Sequence, residues 1–405
     1  EFRRVLFRSK ILTEVTKMIA REIILDTVAV INERLVEISH AIHARPEISN
    51  EEEFACEILS KELQSHGFDV ITDIAGHKTG FIATKSSSKV GATIGFLAEY
   101  DALPGLGHAC GHNIIGATSI GAAIALSKVI DDIGGTIKVF GTPAEEGGVN
   151  GSAKASYVKA GLFKGTDVAM MIHPGSHNQK TPSSLAIAPI DFEFFGKPAH
   201  AASCPEDGIN ALDALLLFYN GIAALRQQLT SDVRIHGVIL DGGQAANIIP
   251  DYTRARFYLR AATSEGLQEV IRKVKSIAEG SALSTGCTTK YTHIQHVLDN
   301  LSPNAILDDI FATTLEELGE TVSTVDRAMG STDAGNVSHA IPTIHPTLSI
   351  SDTPIPAHTV EFASACISPK ADASISLGAK TLALTGLKVL TDSALLENIK
   401  RTFTA

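Results

Sequence analysis

A short glycine-rich segment, His108-Ala-Cys-Gly-His112, carries side chains that can bind metal ions. Thiolate and imidazole are good ligands for zinc-like ions, and Gly111 lets the backbone approach a metal closely. Buried cysteine and histidine are also common at the ends of loops in protein cores. The segment therefore indicates a metal site only if other ligand-type residues meet it in the fold.

The other ligand-type residues follow strand-like runs. Pro143-Ala-Glu-Glu-Gly147 comes at the end of a buried strand. Its adjacent carboxylates can point to opposite sides, so that one binds a metal and the other accepts and donates protons. His173 ends another apolar run, and His358 follows the last one. Active sites of open α/β sheets collect at the carboxyl ends of the strands. We therefore expect these groups to meet in one site.

The cysteine segment has two other interpretations. Cys110 could act as a thiol nucleophile; its spacing from His112 leaves little room for general-base geometry, although a distant histidine could serve. Gly105-x-Gly107 resembles the start of a dinucleotide-binding motif, but Cys110 occupies the third glycine position. We reject the dinucleotide interpretation and keep the thiol nucleophile as an alternative.

Helical and strand-like runs alternate towards both ends of the chain. Apolar residues at helical spacing predict a helix over Glu22–His43, and a second predicted helix, Glu51–His66, ends before Gly67. The run that ends at His173 predicts one continuous strand over residues 167–174, DVAMMIHP. Strands that alternate with helices predict an α/β fold with a mainly parallel sheet covered on both faces.

The pattern changes over residues 184–297, where the order strand, helix, strand, strand, helix, strand predicts a ferredoxin-like βαββαβ domain. Helix–strand alternation then returns and ends with a long helix from Lys370. We therefore predict a catalytic, metal-binding domain formed by residues 22–183 and 298–405, with the smaller domain inserted between them. Residues 1–9, EFRRVLFRS, lack an initiator Met and look like a cloning or assembly remnant, so they are left out of the fold prediction.

Composition excludes several classes of function. The chain has 405 residues and a formal net charge of −11, without the basic stripe of a nucleic-acid-binding protein. No apolar run reaches the roughly 20 residues that cross a bilayer, so we expect no membrane span. The five cysteines are scattered and odd in number, which indicates no disulfide framework and favours a cytoplasmic location.

Four motifs occur in order around the predicted insertion: GHACGH, TPAEEGG, MIHPG and PAHTVEF. Together they resemble the M20 metallopeptidase family, and within it the amidohydrolase branch of aminoacylase-1-like proteins and aminobenzoyl-glutamate hydrolases. The resemblance covers nearly the whole chain from about residue 22. It implies a hydrolase that cleaves the amide bond of N-acyl amino acids or small dipeptides with a free carboxylate.

The resemblance also implies a site for two divalent ions, zinc or manganese, with the ligands Cys110, His112, Glu146, His173 and His358. Cys110 would bridge the ions in place of the Asp of other branches, and Glu145 would be the general base. Where the wider family has His-x-Asp-x-x-Pro, this chain has Glu99-Tyr-Asp101-Ala-Leu-Pro104, so His112 would replace the usual ligand His. Asp101 would contribute to catalysis by orienting a ligand imidazole.

In the inserted domain, Gly196-Lys-Pro-Ala-His200 matches the lid histidine of the family, which reaches across a dimer to the scissile carbonyl. The segment Gly243-Gln-Ala-Ala-Asn247 matches its asparagine for the substrate carboxylate. The resemblance thus implies a homodimer formed through a lid and dimerisation domain, residues 184–297, with His200 in catalysis and substrate binding. Two alternatives stay open: a thiol hydrolase that uses Cys110, and a metal-binding paralogue without catalysis.

Overall fold

A computed structural model of the chain describes residues 2–324 and 330–403, with side chains from residue 14 onward. The helices are α1 (Phe2–Ala44), α2 (Glu53–Ser65), α3 (His112–Ser127), α4 (Ile130–Ile133), α5 (Ala153–Lys159), α6 (Ala211–Leu225), α7 (Ser264–Thr285), α8 (Ala305–Glu317), α9 (Ala334–Ser338), α10 (Val360–Ala365), α11 (Pro369–Thr391) and α12 (Ser393–Thr402). The strands are β1 (Asp69–Ile74), β2 (His77–Ser86), β3 (Thr93–Ala98), β4 (Thr136–Gly141), β5 (Val168–Met170), β6 (His173–Gly175), β7 (Ala186–Phe195), β8 (Arg234–Asp241), β9 (Tyr252–Ala261), β10 (Thr288–His293), β11 (Thr343–Ile344) and β12 (Thr347–Ser349). The chain divides into two compact units, and the second consists of Ser184–Asn300 with the described part of Met329–Gly335.

Among the described residues of the first unit, six strands form a sheet in the order β1-β2-β4-β3-β5-β11. Its strands β4, β3, β5 and β11 are parallel neighbours, whereas β1 and β2 form an antiparallel edge. The last five residues of β3 are buried, as expected for a strand covered by helices on both faces. The predicted α/β fold with a mainly parallel sheet is confirmed.

The helix α3 lies at the centre of the first unit. All 16 of its residues are buried, and it packs against both α1 and α11. Small residues allow this close approach, because a side chain at Gly121 would meet Leu35 of α1 and Ala379 of α11. Close packing on every side leaves α3 little freedom to shift. The first residue of this helix, His112, is therefore held firmly in place.

Two elements of the first unit differ from the prediction. The helix α1 begins at Phe2 and not at Glu22, because residues 2–21 contain no glycine or proline that would interrupt it. The single strand predicted over residues 167–174 is divided into β5 and β6. Its neighbours β11 and β12 are divided at Pro346, which has no N–H to donate to a ladder. His173 thus begins a separate β6–β12 pair.

Among its described residues, the second unit contains four antiparallel strands in the order β10-β7-β9-β8. The elements follow one another as β7-α6-β8-β9-α7-β10, which is the predicted βαββαβ order. Aromatic rings fill the core, where Phe192, Phe218 and Phe257 lie with ring centroids 4.7–6.3 Å apart. None of the helices in the described parts of the whole chain combines the length and the apolar character needed to cross a membrane.

Candidate metal centre

Cys110 lies on the turn between β3 and α3. Gly111 has a φ of +82°, a left-handed conformation, directly before the first residue of the helix. A Cβ atom at this position would overlap the ring of Pro174, so glycine is needed for the turn to lie against β6. As a result, Sγ of Cys110 is 3.4 Å from Nε2 of His173. Burial raises the pKa of the Cys110 thiol, so only a nearby cation would make it a thiolate at neutral pH.

His112, at the start of α3, is buried and held by Asp101. Its Nδ1 lies 2.9 Å from Oδ1 of Asp101 and 3.0 Å from the Asp101 carbonyl oxygen, so Nδ1 carries a proton and donates it. The other nitrogen, Nε2, is buried without a hydrogen-bond partner among the described residues. Burial lowers the pKa of His112, but Cys110 and Asp101 raise it well above its usual range. The surroundings of Nε2 therefore favour a cation.

The Glu145–Glu146 pair lies on the loop that follows β4. Asp101 holds this loop as well, because its Oδ2 accepts the N–H of Glu146 at 2.9 Å. Both carboxylates come within 4.0 Å of Nε2 of His112. Glu146 is also 3.5 Å from Nε2 of His358. Burial raises the pKa of Glu146, but the facing imidazoles of His358 and His112 lower it below its usual value.

His358 reaches the same centre from the loop before α10. Its φ of +63° is disfavoured for a residue with a Cβ atom. The N–H of His358 donates to the carbonyl oxygen of Ala109 at 2.8 Å, which ties this loop to the turn that carries Cys110. The Glu146 carboxylate raises the pKa of His358. Left-handed residues of this kind persist where surrounding contacts hold them, and they are frequent at functional sites.

These side chains form three overlapping groups, within each of which the ligand atoms lie within 4.8 Å of one another. The groups are Cys110, His112 and His173; Cys110, Glu146 and His358; and His112, Glu145 and Glu146. Cys110, His112 and Glu146 each belong to two groups, so the three groups lie close enough together to hold neighbouring ions. Thiolate, imidazole and carboxylate suit divalent transition metals, and the unpartnered Nε2 of His112 faces into the cluster. The residues therefore fit a pair of divalent ions.

Comparison with known proteins assigns the chain to a family. The family described as Peptidase family M20/M25/M40 matches residues 95–377. A Mus musculus protein named Xaa-Arg dipeptidase is 36% identical over 395 residues, which cover 92% of this chain and 89% of that protein. This chain belongs to the M20 peptidase family.

Two further comparisons agree with this assignment. An Escherichia coli protein, one of the subunits of p-aminobenzoyl-glutamate hydrolase, is 32% identical to this M20 chain over 318 residues, which are 73% of the chain and 64% of that protein. A Bacillus subtilis structure described as a dinuclear metal-binding peptidase of the M20 family has the same fold, with a TM-score of 0.67 at 19% identity over 89% of this chain and 99% of that one. Because its relatives are named dipeptidase and hydrolase, this M20 protein is a peptidase or amidohydrolase, as predicted.

The M20 protein also has buried ionisable residues beside the cluster that the four sequence motifs do not include. Lys154, in the first turn of α5, forms a fully buried ion pair with Glu99. Glu99 in turn lies 3.5 Å from Nε2 of His112. Burial raises the pKa of Glu99, but Lys154 lowers it to about 2, so the carboxylate is ionised. His345 has its ring centroid 5.5 Å from that of His173, and burial lowers its pKa to about 3, so it is neutral.

His200 and Asn247, the other predicted site residues of the M20 chain, lie on neighbouring loops of the second unit. The N–H of Ala201 donates to the carbonyl oxygen of Asn247 at 3.0 Å, which joins the two loops. Nδ1 of His200 accepts the N–H groups of Ala202 and Ser203, both at 3.2 Å. The neutral imidazole therefore carries its proton on Nε2, which is a hydrogen-bond donor.

Proposed function

We propose that this M20 enzyme is a two-metal amidohydrolase that cleaves the amide bond of N-acyl amino acids or small dipeptides with a free carboxylate. The observation that carries the proposal is that any two of the three ligand groups share one residue, Cys110, His112 or Glu146, and that Glu145 lies in the third group. The names of two relatives, Xaa-Arg dipeptidase and p-aminobenzoyl-glutamate hydrolase, support this class of substrate.

Five side chains would hold the ions: Cys110, His112, Glu146, His173 and His358. Zinc and manganese suit this mixture of thiolate, imidazole and carboxylate. Two such ions would lower the pKa of a water from about 15.7 towards about 7 and polarise the substrate carbonyl. Asp101 would support the ligands, because one of its oxygens fixes the tautomer of His112 and the other holds the backbone of Glu146.

Glu145 is the group that moves protons in this proposal. It accepts a proton from the attacking water and later donates it to the departing amine. Its carboxylate lies within the cluster, 4.0 Å from Nε2 of His112. The adjacent Glu146 faces His358 and would serve as a ligand. The two carboxylates would take different roles because Glu146 faces His358 as well as His112.

His200 and Asn247 would complete the site from the second unit. Because Nδ1 of His200 accepts backbone N–H groups, its Nε2–H can donate to the carbonyl oxygen of the substrate as that oxygen becomes an oxyanion. Asn247 would bind the free carboxylate through its side-chain amide. The inserted domain would act as a lid, since closing over the substrate excludes water and strengthens each electrostatic contact.

The inserted domain also offers a surface for a homodimer. Its strand β8 lies at the edge of the sheet, and Val238, Ile239 and Leu240 in this strand are exposed. Leu216 and Leu217 of α6 are exposed as well. An unpaired strand edge with apolar side chains is a template for pairing with another chain. We infer a dimer contact through the inserted domain, with His200 acting in the site of the partner subunit.

A cytoplasmic location belongs to the same proposal. All five cysteines are free thiols, which is typical of proteins in a reducing compartment.

The surroundings of Cys110 favour a metal ligand over a thiol nucleophile. Burial raises the pKa of this thiol, whereas a nucleophilic cysteine needs a lowered pKa to form the thiolate. A paralogue that bound metal without catalysis would need the ligands but not Glu145. The presence of Glu145 in the cluster favours the enzyme.

A panel of amide substrates combined with metal analysis tests the proposal. N-acyl amino acids, β-alanyl dipeptides, Xaa-Arg dipeptides and aminobenzoyl-glutamate are offered to the full-length protein loaded with zinc or manganese. We expect hydrolysis of at least one class and its loss on chelation. Glu145→Gln should lower kcat by about 10²–10⁴-fold at unchanged metal content, because it removes the proton acceptor without removing a ligand. Glu146→Gln should also lower metal occupancy.

Glu57→Gln is the matched control, because Glu57 is an exposed glutamate on α2 and its replacement should leave metal content and turnover at wild-type values. Activity that survives chelation but is lost on thiol alkylation would select the thiol hydrolase. Near wild-type turnover by Glu145→Gln would mean that another group is the base.

A further inference from the structure

The residue directly before Glu145 has an unfavourable backbone conformation. Ala144 is fully buried and has a φ of +62°, in the left-handed region that a residue with a Cβ atom rarely occupies. A turn of this kind sets the direction in which the next side chains leave the backbone. It persists only where surrounding contacts hold it. The groups that hold Ala144 therefore bear on where the carboxylates of Glu145 and Glu146 point.

A buried carboxylate far away in the chain holds this turn. Oε1 of Glu52 accepts the N–H of Ala144 at 3.0 Å. Its Oε2 accepts the hydroxyl hydrogen of Thr79 at 2.8 Å, which orients the carboxyl group. Glu52 is fully buried and Thr79 nearly so. Together with the bond from Glu146 N–H to Asp101, these contacts fix the backbone on both sides of Glu145.

Glu52 lies at the start of a helix but does not cap that helix with its side chain. It is the N-cap residue of α2, where a carboxylate normally accepts N–H groups of its own helix, yet its side chain makes no such bond. Glu47 takes that role, since its two oxygens accept the N–H groups of Phe54 and Ala55, each at 3.1 Å. Glu52 is thereby available for the Ala144 turn.

We propose that Glu52 is a positioning residue for the Glu145–Glu146 pair. By accepting the Ala144 N–H, its buried carboxyl group holds the left-handed turn that directs both carboxylates into the ligand cluster. The role of Glu145 as the general base rests on the proposed function. The backbone part of the inference does not, because it concerns a hydrogen bond that can be measured in the metal-free protein.

The chemistry of the site decides which substitutions are informative. Burial, and then the charge of Asp101, raise the pKa of Glu52 to about 7, so its carboxyl group is partly neutral near neutral pH. A neutral carboxyl group still accepts the Ala144 N–H through its carbonyl oxygen, and so does the amide of glutamine. Glu52→Gln should therefore keep the contact, whereas Glu52→Leu leaves a buried N–H without an acceptor.

The test compares Glu52→Leu and Glu52→Gln in the full-length protein. For Glu52→Leu we expect kcat to fall about 10- to 100-fold with KM within about threefold, because the base is misplaced and substrate contacts are kept. Amide hydrogen exchange in peptides that span residues 142–147 should be at least about tenfold faster, with and without metal. Glu52→Gln should stay within about threefold of wild type in both measurements.

Two further variants keep the test decisive if Glu52→Leu folds poorly. Thr79→Val removes the hydroxyl group that orients Glu52, and it should change exchange and kcat in the same direction by about two- to fivefold. Glu53→Leu alters the next residue, which is exposed and pairs with Lys78, and should change neither.

If amide hydrogens around Ala144 exchange at the wild-type rate in folded Glu52→Leu and Thr79→Val proteins, the inference is wrong. A loss of kcat without faster exchange at Ala144 would overturn it too. If the wild-type protein hydrolyses no amide, the proposed function fails, and the exchange measurement on metal-free protein still decides whether Glu52 holds the turn.

Discussion

The candidate metal centre and the loops that carry His200 and Asn247 hold their side chains in different ways. In the centre, His112, Glu99 and Lys154 are buried, and each faces another charged side chain. On the loops of the second unit, His200 and Asn247 are exposed, and the His200 ring is held by N–H groups of the residues that follow it.

This difference separates two kinds of effect. A buried charge that loses its partner stays in a medium of low dielectric constant and destabilises the fold around it. Removal of an exposed side chain leaves the fold nearly unchanged, so replacing His200 or Asn247 should change turnover without changing stability. Changes in unfolding and metal affinity are therefore expected for the buried charges of the centre and not for the exposed side chains of the loops.

The largest effect on stability is expected for Lys154→Met. The substitution leaves the Glu99 carboxylate buried without its lysine partner, which should lower the free energy of unfolding by about 3–5 kcal/mol in chemical denaturation of the metal-free protein. Lys78→Met, which removes the partner of the exposed Glu53, is the control and should leave unfolding unchanged. Adding Glu99→Gln to Lys154→Met should recover part of the loss; wild-type stability of Lys154→Met itself would remove the contrast between the two regions.

His200→Ala should lower kcat by about 10²–10³-fold, because the proposed donor to the oxyanion is lost, while unfolding stays at the wild-type value. Mixing this protein with Glu145→Gln tests where His200 acts. Each heterodimer would contain one site with its own Glu145 and an intact His200 of the partner subunit, so activity should return. No recovery despite demonstrated subunit exchange would mean that His200 acts within its own chain or has no role.

Asp101→Asn should weaken metal binding by about 10- to 100-fold, because one residue holds both the His112 imidazole and the Glu146 backbone. Competition with a chelator of known affinity measures the change. Asp131→Asn, at an exposed aspartate of α4, serves as the control. Unchanged affinity of Asp101→Asn would show that the ligands keep their positions without it.

Local patterns were sufficient to predict much of the fold. The helix α2 ends where Gly67 predicts, and the βαββαβ order of the second unit follows from alternating apolar runs and turns. The antiparallel edge formed by β1 and β2, and the division of the ladder at Pro346, could not be predicted in this way. Strand pairing depends on partners far away in the chain, which a single sequence does not show.

The same contrast holds for the candidate site, of which the motif residues could be predicted and the residues around them could not. Ligand-type residues in the four motifs follow strands or begin a helix, and a mainly parallel sheet gathers such positions at one edge. Glu52, Lys154 and His345 lie outside the motifs, and their positions result from how α2, α5 and the neighbouring strands pack. No spacing in the sequence indicates contacts such as that between Glu52 and Ala144, which are 92 residues apart.

Anomalous diffraction from crystals of the zinc-loaded protein would test for the two-metal centre, since it counts the ions and identifies their ligands. We predict two ions in each chain, about 3.5 Å apart, with Sγ of Cys110 about 2.3 Å from both. A single ion, or two ions that leave Cys110 unbound, would contradict this prediction.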